Sequence, residues 1–168
     1  MRILRALKHL LAPPWLARRA FPRSAQRAIE AAVATAEQRH CGELRFVAEA
    51  GLPTGDLLHG ISARQRAVEL FSRLRVWDTA HNSGVLIYVQ LVDRRVEIVA
   101  DRGISAVVDQ AAWDAVSRTM ETAFRAGDFR GGALTAIARI GELLAAHFPA
   151  SGASAENPDE LPNRPMLL

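Results

Sequence analysis

The chain of 168 residues is 49% hydrophobic, which predicts one globular domain with a substantial buried core. Its single cysteine, Cys41, excludes an internal disulfide and argues against a protein built for an oxidising compartment. The formal net charge is +3, but seven Lys and Arg residues precede the first acidic residue, Glu30, which leaves −4 for the rest of the chain. The positive excess therefore belongs to an N-terminal segment, and we expect no specific nucleic-acid binding by the domain.

Residues 1–20 form a basic amphipathic arm. Its apolar residues share one face of a predicted helix: Ile3, Leu4, Leu7, Leu10 and Leu11. Basic residues interrupt them, which argues against a secretory signal, and no other stretch is long enough to predict a membrane span. Either the helix lies on an anionic membrane surface or a partner, or it packs on a core, as most amphipathic helices do. We therefore expect a cytoplasmic protein that is at most peripheral to a membrane.

Helix and strand patterns alternate after this arm. A helical period runs to about Arg39, and "ELRFVAEA" from Glu43 alternates apolar with mostly charged residues, which predicts a first strand. Glycine and proline then break the chain. Ser62 and Gln65 have the spacing of a capping box, which predicts the start of a second helix.

The most apolar stretch, "GVLIYVQLV", is too uniform for a half-exposed strand and predicts a central strand with both faces covered. Residues 93–94 predict a tight turn, after which "RVEIVAD" returns antiparallel as a third strand. Asp109 is placed to cap a third helix, and Gly127 and Asp128 separate it from a fourth.

This order of elements predicts a three-layer α/β/α sandwich, with a small mixed β-sheet covered by helices on both faces. The helix between the first two strands makes them parallel through a right-handed crossover. We assign the domain to residues 21–149, between the arm and a tail at 150–168. The tail is rich in proline and small polar residues, so it is expected to be flexible.

Polar residues are predicted to meet at one edge of this sheet, where the starts of the first two strands and the end of the third lie together. This polar edge comprises His40, Glu43, Asp78, His81, Asn82, Asp101 and Arg102, with Asp109 at the start of the next helix. Carboxylates converging from separate stretches can hold a hard divalent cation. At the opposite edge, near Glu49, Asp56 and Asp93, the acids are more scattered, so we expect a less favourable site there.

Each polar-edge residue also has an ordinary structural explanation. Asp101 could pair with an arginine, Asp109 could cap a helix, and the His40 imidazole could suit the end of a helix dipole. Standard catalytic motifs are missing from the sequence: a glycine-rich phosphate loop, a CxxC pair, HExxH and a nucleophile elbow. We therefore expect no organic cofactor, and catalysis at the polar edge stays open.

The run "HNSGVLIYVQLVDRRVEIVADRGI", followed by Trp113 and "FRAGDFRGG", resembles the TPM domain family, known as TPM phosphatases. The earlier "AEQRHCGELRFVAEA" and "RVWDTAHNSGV" look like its short proteobacterial branch, so the resemblance covers about residues 21–149. The resemblance implies an α/β/α sandwich and an acidic cluster that binds calcium in some relatives and is linked to weak acid phosphatase activity. Many relatives have two glycines where this chain has Asp101 and Gly103, which implies a remodelled or lost calcium site.

Two functions from different classes follow. The first is a divalent-cation-binding module with at most weak phosphomonoester hydrolysis, in which Glu43, Asp78, Asp101 and Asp109 hold the cation, by resemblance calcium. Arg102 would bind the phosphate oxygens and His40 would be the acid or base. In the second, the polar edge recognises a protein partner and the domain is a non-catalytic interaction or assembly-factor domain. The lack of an evident nucleophile favours the second function.

Overall fold

The computed structural model describes residues 2–150 and 160–168. Its strands are β1 (Glu43–Glu49), β2 (Gly84–Gln90), β3 (Arg95–Ala100) and β4 (Met166–Leu167). Its helices are α1 (Arg2–Leu10), α2 (Trp15–Ala20), α3 (Arg23–Glu37), α4 (Thr54–Leu58), α5 (Ala63–Arg73), α6 (Arg102–Ser105), α7 (Gln110–Arg125) and α8 (Phe129–His147). The sheet order is β3-β2-β1-β4, with β1 parallel to β2 and β4, and β2 antiparallel to β3. The predicted mixed sheet is confirmed.

Hydrophobic cores cover both faces of the sheet, because side chains alternate along each strand. The core beneath α3, α7 and α8 includes the strand residues Leu44, Phe46, Ile87 and Ile98. The core beneath α5 includes Val47, Leu86, Tyr88 and Val99. Every residue of β2 is buried, as its uniformly apolar sequence predicts. The α/β/α sandwich is therefore confirmed.

Side-chain caps fix where the main helices begin. Ser62 Oγ accepts a hydrogen bond from the Gln65 N–H at 3.2 Å, and Gln65 Oε1 accepts one from the Ser62 N–H at 2.9 Å, so the predicted capping box forms. Asp109 and Asp128 cap α7 and α8. The short helices α4 and α6 lie in connections that carry no helical period in the sequence.

The arm docks on the domain, but through its polar side. Arg5 Nη2 donates to Asp93 Oδ2 at 2.8 Å, and His9 Nε2 lies 3.1 Å from Asp93 Oδ1. The Leu52 N–H donates to His9 Nδ1 at 3.0 Å, so Nδ1 is an acceptor and the ring proton lies on Nε2, facing Asp93. Burial acts to raise the pKa of Asp93, but the bonds from Arg5 and His9 outweigh it and hold that pKa below its usual range. The helix therefore docks on its own domain, which is one of the two alternatives, but its apolar face does not pack on the core.

Residues 160–168 belong to the sheet layer. In β4, Met166 pairs with Val47 of β1, and the Leu168 N–H donates to the Ala48 carbonyl at 2.9 Å. The Leu161 side chain is buried in the core beneath α5. The prediction of a flexible tail is wrong for this segment, and its remaining part, residues 151–159, lies outside the described residues.

Residues 160–168 are held largely through their backbone, which the apolar pattern of the sequence does not reveal. Arg45 on β1 is buried, and its guanidinium donates to the carbonyls of Pro162 and Arg164. Glu43 is also buried, and its Oε2 accepts from the Leu161 N–H at 3.2 Å. Burial of a charge is stabilised by such hydrogen bonds, so β1 requires a backbone segment at this place.

We predict that Leu161→Ala lowers the free energy of unfolding by about 2–3 kcal/mol, because it leaves a cavity in the core beneath α5. Leu58→Ala is the matched control, since Leu58 is 82% exposed, and its change should stay within about 0.5 kcal/mol. Urea denaturation of both variants measures the difference. Equal midpoints for the two variants would show that the segment is not docked.

Candidate functional site

The polar edge forms where the chain topology places it. Glu43 is paired with Gly84 in the parallel register of β1 and β2, and the Glu43 N–H donates to the Ser83 carbonyl at 3.1 Å. The Asp101 N–H donates to the Gly84 carbonyl at 2.9 Å, just beyond the end of β3. Glu43, Gly84 and Asp101 therefore lie in one row across the sheet. The predicted meeting of these strand ends is confirmed.

The loop of residues 76–82 packs directly on this row. A Cβ atom at Gly84 would lie 1.8 Å from the Val76 carbonyl oxygen, so only glycine admits the loop backbone here. Similarly, a Cβ atom at Gly103 would lie 2.6 Å from the Asn82 carbonyl oxygen. Since Gly84 stands between Glu43 and Asp101 in the row, the Val76 backbone lies over the gap between those two carboxylates.

The four predicted metal ligands do not gather into one site in the described residues. Glu43 is buried and accepts the Leu161 N–H, and Asp78 is exposed, 4.0 Å from Arg75. The exposed Asp109 accepts the N–H of Ala111 as the cap of α7. Across residues 2–150 and 160–168, no three His, Cys, Asp or Glu side chains form a group that could hold a metal ion.

Asp101 has one carboxylate oxygen that is buried without a hydrogen-bond partner in the described residues. Its Oδ1 caps α6 by accepting the Arg102 N–H at 2.7 Å. Its Oδ2 is buried and has no hydrogen-bond partner in the described part of the chain. The Arg102 side chain turns to solvent and donates from Nε to Asn82 Oδ1 at 3.3 Å. Asp101 therefore serves the fold through one oxygen and leaves the other available.

His40 is enclosed, not presented to solvent. Its side chain is buried, with Nδ1 3.2 Å from the Gly42 nitrogen and 3.0 Å from the Gly42 carbonyl oxygen. Burial lowers the pKa of His40 to about 4, although the Gly42 hydrogen bond acts in the opposite direction. The imidazole is therefore neutral near pH 7 and cannot reach a substrate outside the domain.

At the opposite edge, acids that are scattered in the sequence come together in a cluster of paired charges. Arg66 on α5 donates to both oxygens of Glu49, at 2.7 Å and 3.1 Å, and Tyr88 Oη lies 2.5 Å from Glu49 Oε2. Arg66 also pairs with Asp56 and Glu69, at 3.3 Å and 3.0 Å. The expectation that this edge would be less organised is wrong.

The cluster is structural, because its central charges are paired and enclosed. Burial and the neighbouring Glu49 charge raise the pKa of Tyr88, so its hydroxyl stays protonated as a donor. Burial acts to lower the pKa of Arg66, but its bonds to Glu49 and Glu69 raise it overall. A sequence signal for this cluster exists, since Arg66 occupies the inner stripe of α5 beside Ala67.

The solvent side of the polar edge combines charged and apolar groups. Trp77, in the loop that covers the edge, is 49% exposed, and Val107, just after α6, is 51% exposed. The side chains of Asp78, His81 and Arg102 are also exposed beside them in the sequence. These residues, and not the buried carboxylates, are what the edge presents to another molecule.

Comparison with known proteins identifies the family. The sequence profile described as the TPM domain matches residues 18–143. This chain belongs to the TPM domain family. The NMR structure of the BA42 protein from the psychrophilic bacteria Bizionia argentinensis is similar to this TPM domain, with a TM-score of 0.73 and 31% sequence identity over 85% of this chain and 92% of that chain. No curated protein matches the chain.

We predict that acid destabilises the TPM domain through His40. Because folding lowers the pKa of His40 from about 6.5 to about 4, the unfolded state binds more protons between these pH values. The free energy of unfolding should therefore fall as pH decreases through this interval, with His40 contributing up to about 1.4 kcal/mol per pH unit. Urea denaturation at a series of pH values measures the slope.

His40→Gln should flatten this slope, because the amide does not titrate. His59→Gln is the matched control, since His59 is exposed, and it should keep the slope of the wild type. If the slope is unchanged in His40→Gln, His40 is not the source of the acid destabilisation.

Proposed function

We propose that this TPM domain is a non-catalytic interaction domain whose polar edge binds a protein partner. The observation that carries this proposal is the enclosure of the groups that catalysis would need. His40 is buried and neutral, and Glu43 lies beneath the segment that follows residue 159. A general acid or base must reach the proton that it transfers, and His40 has no such access.

The exposed side chains at the polar edge have the composition of a binding surface. Trp77 offers a large exposed apolar area, and Arg102 offers a fork of donors on α6, which a hydrogen bond to Asn82 joins to the loop that carries Trp77. Tryptophan and arginine are enriched among residues that dominate protein interfaces. The acidic Asp78 adds a charge that can select the orientation of a partner. These features support a protein partner and require no bound cofactor.

We predict that a photo-crosslinking amino acid at position 77 captures a defined partner in cells that express the full chain. The same amino acid at Val68, an equally exposed position on α5, is the matched control and should capture none. Adding Arg102→Ala should weaken the adduct at position 77, because it removes a cation that the polar edge offers to the partner. The measurement is the yield of the crosslinked species. Equal adducts at positions 77 and 68 would contradict the proposal.

A second candidate function is cation binding with at most weak phosphomonoester hydrolysis. One observation favours it, which is the buried Asp101 Oδ2 without a hydrogen-bond partner in the described residues. A calcium ion accepts six to eight oxygen ligands, so one available carboxylate oxygen fits only part of such a site. A cation held there would polarise a phosphate ester, and Arg102 would bind the phosphate oxygens. Glu43 and Asp109 do not fit this role, because each is engaged in the fold.

We predict that calcium, magnesium, manganese and zinc leave the melting temperature of the TPM domain unchanged, because the four acids are not gathered. A ligand that binds only the folded state must raise this temperature. Hydrolysis of p-nitrophenyl phosphate should likewise be equal in the wild type and in Asp101→Asn. A cation-induced rise in the wild type that Asp101→Asn abolishes would establish the second candidate and overturn the prediction.

A further inference from the structure

The helix α1 carries its apolar face outward. Its large apolar residues and the residue that follows it are between 49% and 86% exposed: Ile3, Leu4, Leu7, Leu10 and Leu11. Trp15, at the start of α2, is 55% exposed. Single exposed apolar residues are ordinary on protein surfaces, but a contiguous helical face of this kind marks an interaction site.

The contacts of the opposite face fix this orientation. Arg5 and His9 hold Asp93, and His9 is buried with Nδ1 bonded to the Leu52 N–H. Turning the apolar face inward would break these bonds and would leave the half-buried Asp93 without its two donors. The outward face is therefore a consequence of specific pairing, not of a helix detached from the domain.

The charged residues of α1 and α2 are all basic. Lys8 on α1 and Arg18 and Arg19 on α2 are exposed, and no acidic residue precedes Glu30. Arg18 also lines a cavity of about 600 Å³ that includes two further arginines and no acidic residue: its lining is Arg18, Pro22, Arg23, Gln26, Arg164, Pro165 and Leu167. An exposed apolar helix face in a segment whose charges are basic, followed in the sequence by an exposed tryptophan, has the composition that suits the boundary between acyl chains and anionic headgroups.

We propose that α1 and Trp15 bind the surface of an anionic membrane, with the apolar face in the interface and the flanking cations against lipid headgroups. Charge complementarity selects this occupant over a second copy of the chain, because pairing two arms would bring together two sets of basic residues. The segment 151–159, "SGASAENPD", has no large apolar side chain with which to cover the face. This proposal is independent of the function proposed for the polar edge.

Vesicle binding of the full chain tests the proposal. The probes are vesicles of phosphatidylcholine with about 30 mol% phosphatidylglycerol, and vesicles of phosphatidylcholine alone. The chain should co-sediment with the anionic vesicles, with a partition coefficient at least about tenfold higher than for the neutral ones. Raising the salt to about 0.5 M should weaken this binding, because it screens the headgroup charge. Absence of binding to anionic vesicles overturns the proposal.

Charged substitutions on the apolar face distinguish insertion of α1 into the membrane interface from electrostatic attraction of its basic residues to the headgroups. The double variant Leu7→Glu and Leu11→Glu should lose at least about tenfold in partition coefficient, because it places carboxylates in the interface. Both positions are exposed, so the urea midpoint should stay close to that of the wild type. Val68→Glu, at a similarly exposed apolar position on α5 and outside the arm, should bind as the wild type does. If the control variant loses as much vesicle binding as the Leu7→Glu and Leu11→Glu variant, the proposal is overturned.

Tryptophan fluorescence gives a second readout. In a Trp77→Phe background the remaining indoles are the exposed Trp15 and the buried Trp113. Anionic vesicles should shift the emission to shorter wavelength as Trp15 leaves water, and no shift would contradict insertion.

Sedimentation equilibrium without lipid should give a monomer. A dimer that the Leu7→Glu and Leu11→Glu variant dissociates would assign the face to a second copy and overturn the membrane assignment.

Discussion

The burial of three charges on β1 determines the layer on the α5 side of the sheet. Glu43, Arg45 and Glu49 alternate along this strand, and all three are buried. A buried charge is tolerated only with partners, and each of these charges finds them in a different part of the chain. Glu43 and Arg45 hold the backbone after residue 160, whereas Glu49 holds α5 through Arg66 and the central strand through Tyr88. The outer layer is thus assembled by charge pairing as well as by apolar packing.

This dual construction explains what the sequence could and could not predict. The apolar period and the caps, such as Ser62 with Gln65, gave the helices, the central strand and the order of layers, because these features depend on neighbours along the chain. The row of Glu43, Gly84 and Asp101 followed from topology. The partners of Arg45 and the outward face of α1 were not predictable in this way, since they depend on hydrogen bonds between distant segments and carry no period.

At the candidate site, the sequence predicts which strand ends meet but not whether their side chains can act together. Topology brings strand ends together, but the direction of each side chain and the path of the covering loop decide whether the groups can cooperate. The Val76 carbonyl packed on Gly84 occupies the space over the gap between Glu43 and Asp101. What the TPM domain offers outside this enclosed row is an exposed tryptophan and arginine at the polar edge and an apolar helix face on the arm. Both are accessible surfaces, and they lie on different elements of the fold.

The pairing of β1 with β4 also shapes how the chain reaches its folded state. Val47 and Met166 lie in distant parts of the sequence, and contacts of this kind form late, because the entropy of closing a long loop must be overcome first. Before residues 160–168 dock, β1 has an open side with unpaired backbone, and Arg45 lacks the carbonyl partners that it has in the folded protein. Such an open strand is a template for association with other chains. Docking of residues 160–168 therefore closes a strand edge that would otherwise be open to association.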